Sequence, residues 1–194
     1  DFVYDHMDWI DEKIAALPPA MPYEHGRTIP LLGQDRLLEI IEPVRGSRTK
    51  IELLPDSLHV QTLLENPSAR IERFIKNLAL ENLTALSHEK AALIDKKIKA
   101  VTVRDTKSRW GSCAHDGALS YSWRLIFAPR LAMDYVVAHE IAHLVHLNHS
   151  RAFWDVCRDL SEDYVEGEYW MRNHGHELMR YGVSDPGEII QRAL

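Results

Sequence analysis

Residues 131–150 read LAMDYVVAHEIAHLVHLNHS, a stretch that places four histidines and one glutamate among apolar residues. On a helix, its apolar side chains point in nearly every direction around the axis, which is typical of a buried helix. His139, Glu140 and His143 are therefore expected in a largely desolvated setting. An ionised carboxylate there costs several kcal/mol unless something compensates it, and a bound cation would do so directly.

The spacing of these residues favours a metal site. His139 and His143 lie on one helix face, about 6 Å apart along the axis, so both imidazoles can reach one zinc ion. Glu140 lies about 100° further round the helix, where it can face a water molecule on the metal. This H-E-x-x-H pattern, with glutamate as general base, is that of zinc metalloproteases. The alternative is a set of core histidines hydrogen-bonded to Glu140.

A catalytic zinc takes a third protein ligand, and the candidates are two nearby histidines and a distant carboxylate. His146 shares the helix face of His139 but lies about 10 Å along the axis, which strains its reach to the same ion. His149 can join only if the helix ends and the chain turns back. Asn148 can adopt the left-handed conformation of a helix end, and Ser150 can cap a new helix. We therefore predict His149 as the third ligand, and His146 as a packing or hydrogen-bonding neighbour.

Turn residues and hydrophobic periodicity predict the remaining elements. The predicted strands are, in chain order, 36–44, 50–54, 58–63, 98–104 and 119–127. The predicted helices are 66–94, 131–146 with a break between His143 and Ser150, 150–160 and 166–181, after an amphipathic piece at 5–17. The first three strands are expected to form an antiparallel meander, and the charged stretch 89–99 is expected in solvent. Strands first and helices last favour an α+β domain.

Composition argues against several classes of protein. The chain has 194 residues, which fits one domain, and its formal net charge of −6 disfavours a broad nucleic-acid-binding surface. Its two cysteines, Cys113 and Cys157, are expected as reduced cytosolic thiols. No apolar run reaches the roughly 18–20 residues of a membrane span, and no signal peptide is recognisable. We therefore expect a cytoplasmic protein with no membrane partner.

Two motifs in a fixed order resemble a known family. RWGSC at 109–113 precedes HEIAHLVHLNHSRAFW at 139–154, and YVVAHE leads into the second motif. Over about residues 98–170 the chain resembles the YgjP-like metallopeptidase family, whose histidine spacing is similar to that of SprT-like and other zincin proteases. The same spacing occurs in metzincins, but there a glycine stands at the position of His146, so a true metzincin is disfavoured.

The resemblance implies a zincin-like domain, in which a small, mostly antiparallel sheet packs on the active-site helix beside the N-terminal meander. On this basis we expect an N-terminal segment and meander at 1–65, a catalytic region at 66–182 and a tail at 183–194, within one compact domain. An edge strand of the sheet can hold a peptide or protein substrate by strand addition. The implied zinc ligands and base are His139, His143, His149 and Glu140.

Several other residues are candidates around such a site. Arg104, Lys107 and Arg109 form a basic cluster that can hold a phosphate or a substrate carboxylate, or can pair with a nearby acid. The residues expected to contact substrate are Arg109, Trp110 and Ser112. The candidates for stabilising an oxyanion are Arg109, Tyr164 and His146. The acids that can orient a ligand histidine are Asp155, Asp159 and Glu162.

Zinc-dependent hydrolysis of peptides, with Glu140 as general base, is the function that these features favour. The resemblance also permits a metal-dependent nucleoside triphosphate pyrophosphatase, in which the basic cluster would hold phosphates. The chain lacks a glycine-rich phosphate loop and a carboxylate cluster for magnesium, which disfavours that reading. A non-catalytic zinc module is disfavoured because a structural site closes its fourth position with a protein ligand.

Overall fold

The computed structural model describes residues 19–43, 48–106 and 108–183. The amphipathic piece predicted at 5–17, Lys107 and most of the predicted tail lie outside these residues. The described strands are β1 Thr28–Leu31, β2 Gln34–Ile41, β3 Lys50–Leu53, β4 Ser57–Gln61, β5 Ala100–Arg104, β6 Gly111–Cys113 and β7 Ala118–Ser122. The helices are α1 Ser68–Leu93, α2 Arg130–Ala142, α3 Arg151–Leu160 and α4 Tyr164–His174, with 3₁₀ helices at Trp123–Phe127 and Gly175–Arg180.

The N-terminal strands form one sheet in the order β1-β2-β4-β3, and the predicted meander is wrong in its pairing. β4 pairs in parallel with β2 and antiparallel with β3. β4 therefore lies between β2 and β3, a pairing that turn residues and periodicity do not determine. β1 was not predicted, because its turn to β2 uses Leu32 at a positive φ of 57° beside Gly33, and leucine rarely occupies such a turn position.

The second sheet has the order β5-β7-β6, with β7 parallel to β5 and antiparallel to β6. The strand predicted at 119–127 continues only to Ser122, after which Trp123–Phe127 is a 3₁₀ helix. Its regular alternation misled the prediction because all five residues of this turn are buried, Arg124 included. The Arg124 guanidinium lies 3.2 Å from Oδ2 of Asp105 and 4.3 Å from the centroid of the Trp123 ring, which explains how a cation is tolerated there.

Both sheets together make a mixed α+β architecture, so the predicted fold class is confirmed. Of the five strand pairings among the described residues, three are antiparallel and two are parallel. α2 lies at the centre and contacts α1, α3, α4 and β6. Its buried side chains, Val136, Val137, Ala138 and Ile141 among them, join the main hydrophobic core. No described helix combines the length and the apolar character needed to cross a membrane.

The charged stretch predicted to lie in solvent contains two buried residues, Lys90 and Ala91, of which Lys90 is charged. Lys90, near the end of α1, is 6% exposed. Its Nζ lies 2.6 Å from Oδ1 of Asp134 on α2 and donates to the carbonyl of Leu160 at the end of α3. An ammonium can be buried when it is paired and hydrogen-bonded in this way. Lys90 therefore ties together the three helices that surround the histidine-rich stretch.

The predicted break between His143 and Ser150 is confirmed. α2 ends at Ala142, and α3 begins at Arg151, where Ser150 Oγ accepts a hydrogen bond from the Phe153 amide at 3.4 Å. We call residues 143–150 the elbow. The predicted left-handed residue at Asn148 is wrong, because the non-glycine residues with positive φ in the described ranges are Leu32 and Asp95.

Candidate metal centre

The structure brings three histidines to one point. His139 and His143 lie at the end of α2, and His149 returns to them from the elbow. One ring nitrogen from each lies within 4.8 Å of the others, and Nε2 of His149 is 3.1 Å from Nε2 of His139. Nitrogens bound at roughly 2.0–2.1 Å to a tetrahedral zinc lie about 3.4 Å apart. The donor set therefore fits a tetrahedral metal with three protein ligands.

Aromatic side chains of α3 hold the cluster in place. Phe153 is 0% exposed, and its ring centroid lies 5.0, 4.6 and 4.7 Å from those of His139, His143 and His149. Trp154 stacks on His149 with the centroids 5.4 Å apart. Packing of α3 against α2 therefore fixes the orientation of the His149 imidazole, which lies in the elbow.

His146 contributes its backbone to the cluster. Nδ1 of His143 lies 3.0 Å from the carbonyl oxygen of His146, and a hydrogen bond donated there leaves Nε2 available to a metal. The acidic residues that sequence suggested for orienting a ligand do not have this role at His143. Asp155 instead pairs with Arg158 at 3.1 Å.

Burial keeps the imidazoles in the form that binds metals. Desolvation, followed by the charges of the neighbouring His143 and His149, lowers the pKa of His139 to about 4. Desolvation also lowers the pKa of His143, against an opposing effect of its hydrogen bond to His146. Since metal binding needs neutral histidine, both side chains on α2 are ready to bind at neutral pH.

Glu140 lies beside the cluster and is 5% exposed. Burial raises the pKa of its carboxyl to about 7, although the positive charge of Arg109 acts in the opposite direction. β6 passes very close to this carboxyl. A Cβ atom built on Gly111 would lie 2.5 Å from Oε1 of Glu140, closer than real Cβ contacts allow, so any larger residue would force the strand or the Glu140 side chain to move.

A cleft of about 240 Å³, here named the Trp110 cleft, opens onto this carboxyl. Its lining residues are Arg109, Trp110, Gly111, Tyr135, Val136, His139 and Glu140. Ser112, the remaining candidate for substrate contact, lies elsewhere. Because side chains alternate along a strand, it lines a separate cavity with Thr102 and Arg104.

Tyr135 is the cleft residue that sequence reasoning missed. It was interpreted as one more apolar residue of a buried helix, although it precedes His139 by four residues and so shares its face. The two rings meet edge to face with centroids 6.2 Å apart. Burial raises the pKa of the Tyr135 hydroxyl, with smaller contributions from Glu168 and Tyr164, so the group remains a hydrogen-bond donor at neutral pH.

The other candidates occupy positions away from the cluster or within the core. Tyr164 is buried, with its ring edge to face with that of Tyr135 at 5.4 Å. Cys113 is a free, partly buried thiol, whose pKa is raised to about 11 by burial, then by Glu140 and Asp116. His174 belongs to a His-Gly-His sequence that could suggest metal binding. Its Nδ1 lies 2.8 Å from Oε1 of Glu177 instead.

Comparison with known proteins gives one match. No curated protein and no solved structure matches the chain. The family model described as YgjP-like, metallopeptidase domain, matches residues 1–174. This match covers both quoted motifs and most of the described structure, and it confirms the resemblance drawn from them. The chain therefore belongs to the YgjP-like family of metallopeptidase domains.

Proposed function

We propose that the protein is a zinc-dependent peptidase in which His139, His143 and His149 hold the metal and Glu140 is the general base. The observation that carries this proposal is the convergence of three imidazoles, within 4.8 Å of one another, beside a buried carboxyl group. Among the described residues, the set leaves a fourth tetrahedral position without a protein ligand, which distinguishes catalytic from structural zinc sites. The free thiols of Cys113 and Cys157 suit the cytoplasm.

Zinc in such a site lowers the pKa of a water molecule towards about 7 and polarises a carbonyl group. Glu140 accepts the proton of the attacking water and delivers it to the leaving amine. A carboxyl whose pKa lies at about 7 is suited to both transfers near neutral pH. Its burial also excludes bulk water that would compete for the same proton.

The substrate lies along β6 in this proposal. β6 is an edge strand of the sheet β5-β7-β6, and an extended peptide can add to such an edge through backbone hydrogen bonds. Arg109 and Trp110 precede the strand and line the Trp110 cleft, where they contact substrate. The hydroxyl of Tyr135 is the donor that we assign to the developing oxyanion.

Hydrolysis of nucleoside triphosphates is the weaker alternative. Arg104, which would have to hold phosphates, lines the cavity on the Ser112 face of the sheet. The buried carboxyl of Glu140 faces the Trp110 cleft instead. Of the described residues in the basic cluster, Arg109 lines both cavities, so a phosphate in the Trp110 cleft would meet this single guanidinium without Arg104.

The test compares wild type with Glu140→Gln for bound zinc, for peptide and casein cleavage, and for triphosphate hydrolysis. We expect the variant to keep its zinc and lose about 100-fold or more of its peptidase kcat, as is usual when a general base is removed. Glu81→Gln, on the exposed surface of α1, is the matched control. Full peptidase activity in Glu140→Gln, or zinc lost from it, would remove Glu140 from the role of base.

A further inference from the structure

A second cavity lies beyond the histidine cluster. It measures about 340 Å³ and is named here the Leu147 cavity. Its walls include His143, Val145 and Leu147 from the elbow, and Lys96 and Lys97 from the connection after α1. It thus adjoins one proposed ligand, His143, while the Trp110 cleft adjoins another, His139.

The two cavities follow one another along a single path. The Trp110 cleft contacts α2 from Tyr135 to Glu140, and the Leu147 cavity contacts the chain from His143 onward. β6 and the turn after it run beside α2 in the same direction, with Gly111 at the first cavity and Gly117 at the second. A peptide that lies along β6 therefore spans both cavities. Its residues before the scissile bond lie in one cavity and its residues after that bond lie in the other.

Both cavities have exposed cations at their rims. Arg109 is exposed at the Trp110 cleft, where its positive charge also acts on the buried carboxyl of Glu140, and Lys96 and Lys97 are exposed at the Leu147 cavity. Among the described residues, no carboxylate forms an ion pair with the side chains of these three residues. The carboxylates that line the same cavities in the described structure are Glu140, which is buried, and Asp116, which pairs with Lys99. Both ends of the path are therefore positive in a chain whose formal net charge is −6.

We propose that the substrate is an acidic peptide segment with carboxylate side chains on both sides of the scissile bond. This inference rests on the proposed peptidase function and specifies its substrate class. Cations at the two ends of the path attract such a segment before contact and fix its position along β6. They disfavour a basic segment through repulsion at the same two places. Apolar wall residues such as Val145 and Leu147 bind the stems of the acidic side chains.

The expected preference is moderate and depends on salt. Exposed charge pairs are individually weak, so three of them should give about a tenfold preference in kcat/KM for glutamate over glutamine at low ionic strength. The preference should shrink several-fold between about 0.02 M and about 0.5 M salt, because exposed charges are screened. Buried recognition groups would show little of this dependence.

The experiment uses the zinc-loaded protein and three quenched fluorescent peptides of equal length. They carry glutamate, glutamine or lysine at two positions on each side of one central bond. We expect kcat/KM to fall in the order glutamate, glutamine, lysine. Equal rates for the three peptides, or a preference that is unchanged at high salt, would overturn the proposal. If the wild type cleaves the glutamine peptide and Glu140→Gln does not, the peptidase function would stand even though the acidic preference had been overturned.

Two charge-reversed double variants test whether the cations at the cavities produce the peptide preference. The double variant Lys96→Glu/Lys97→Glu should lose or invert the preference at peptide positions on one side of the bond, while Arg109 maintains it on the other. Arg70→Glu/Arg73→Glu makes the same charge change on exposed residues at the far end of α1, about 30 Å or more along the helix. Identical peptide preferences in both double variants would show that the preference depends on net charge alone, and would overturn the proposed path. Hydrolysis of triphosphate but of no peptide would overturn both the path and the peptidase.

Discussion

The smallest side chain at the site determines how close the sheet comes to Glu140, the proposed base. Gly111 has no Cβ atom, and β6 uses the resulting space to approach Oε1 of Glu140. That approach excludes water from one side of the carboxyl and contributes to the burial that raises its pKa. The glycine of the RWGSC motif is therefore interpreted as a requirement of the base. The sequence alone identified the motif without showing this purpose.

We expect Gly111→Ala to reduce kcat/KM about 100-fold, because displacing a catalytic group by 1 Å can have an effect of this size. Bound zinc should remain, since the change does not touch a ligand histidine. Gly26→Ala is an informative control, because Gly26 has a φ of 81° and open space around it. That control should lower the thermal midpoint through backbone strain and leave kcat/KM intact. Normal kinetics in Gly111→Ala would show that Glu140 does not depend on the close strand.

Single residues also show what could be predicted and what could not. His139, His143 and His149 were predicted as a group from helical spacing and an expected break, and the structure brings them together. Ser112 was grouped with Arg109 and Trp110, but it lines a cavity that it shares with Arg109 and not with Trp110. Tyr135 was missed because periodicity alone does not distinguish a core tyrosine from one at a cleft.

At the scale of elements, the elbow is the part that makes the site. Two of the proposed ligands lie on one helix face because of the local sequence of α2. The position of the third, His149, depends on where α3 begins. Sequence predicted the cap at Ser150 correctly, because the pattern of a capped helix is local. It assigned the wrong turn geometry at Asn148, because backbone dihedrals inside a tight connection depend on packing. The strand pairing of β2 with β4 was missed for the same reason.

Loss of the Ser150 cap should therefore weaken metal binding, although Ser150 is not one of the proposed ligands. Ser150→Ala removes the acceptor for the Phe153 amide and should cost about 1 kcal/mol of stability. Because His149 precedes the cap and Phe153 packs on it, we expect zinc affinity to fall several-fold in chelator competition. Ser150→Thr keeps a capping hydroxyl and should restore most of the affinity. A similar affinity in Ser150→Ala and wild type would mean that the elbow holds its shape without the cap.

At the scale of the whole molecule, one hydrophobic core joins both sheets to α1, α2 and α4. It includes Leu38 and Leu58 of the first sheet, Tyr121 of the second and Val137 of α2. The number and approximate bounds of most elements could be predicted from periodicity and turn residues. The order of strands in each sheet could not, because it depends on contacts between residues far apart in the chain.

Burial of the two cysteines makes stability sensitive to alkaline pH. It raises the pKa of Cys113 to about 11 and of Cys157 to about 12. In the unfolded chain both thiols ionise at their ordinary pKa, so at high pH the unfolded state binds fewer protons than the folded state. The free energy of unfolding therefore keeps this contribution below about pH 9 and loses it as the pH rises towards those raised values.

Urea unfolding at several pH values between 8 and 11 measures this effect. Cys157→Ala should be less stable at every pH, because it leaves a cavity. Its stability should nevertheless decline less steeply with pH than that of wild type, because one of the two thiols is missing. Tyr121 and Tyr135, whose pKa values are also raised by burial, remain in both proteins and cancel in the comparison. Parallel declines would show that the Cys157 thiol does not contribute.

The placement of His149 has a consequence for the timing of biosynthesis. A nascent chain that lacks α3 contains His149 but not Phe153, so His139 and His143 are the two proposed ligands that the α2 helix alone can align. The third imidazole takes its place when Phe153 has docked against α2. The complete set of three imidazoles is therefore postponed until α3 has been synthesised and folded, and an unfinished chain lacks the site that we propose for hydrolysis.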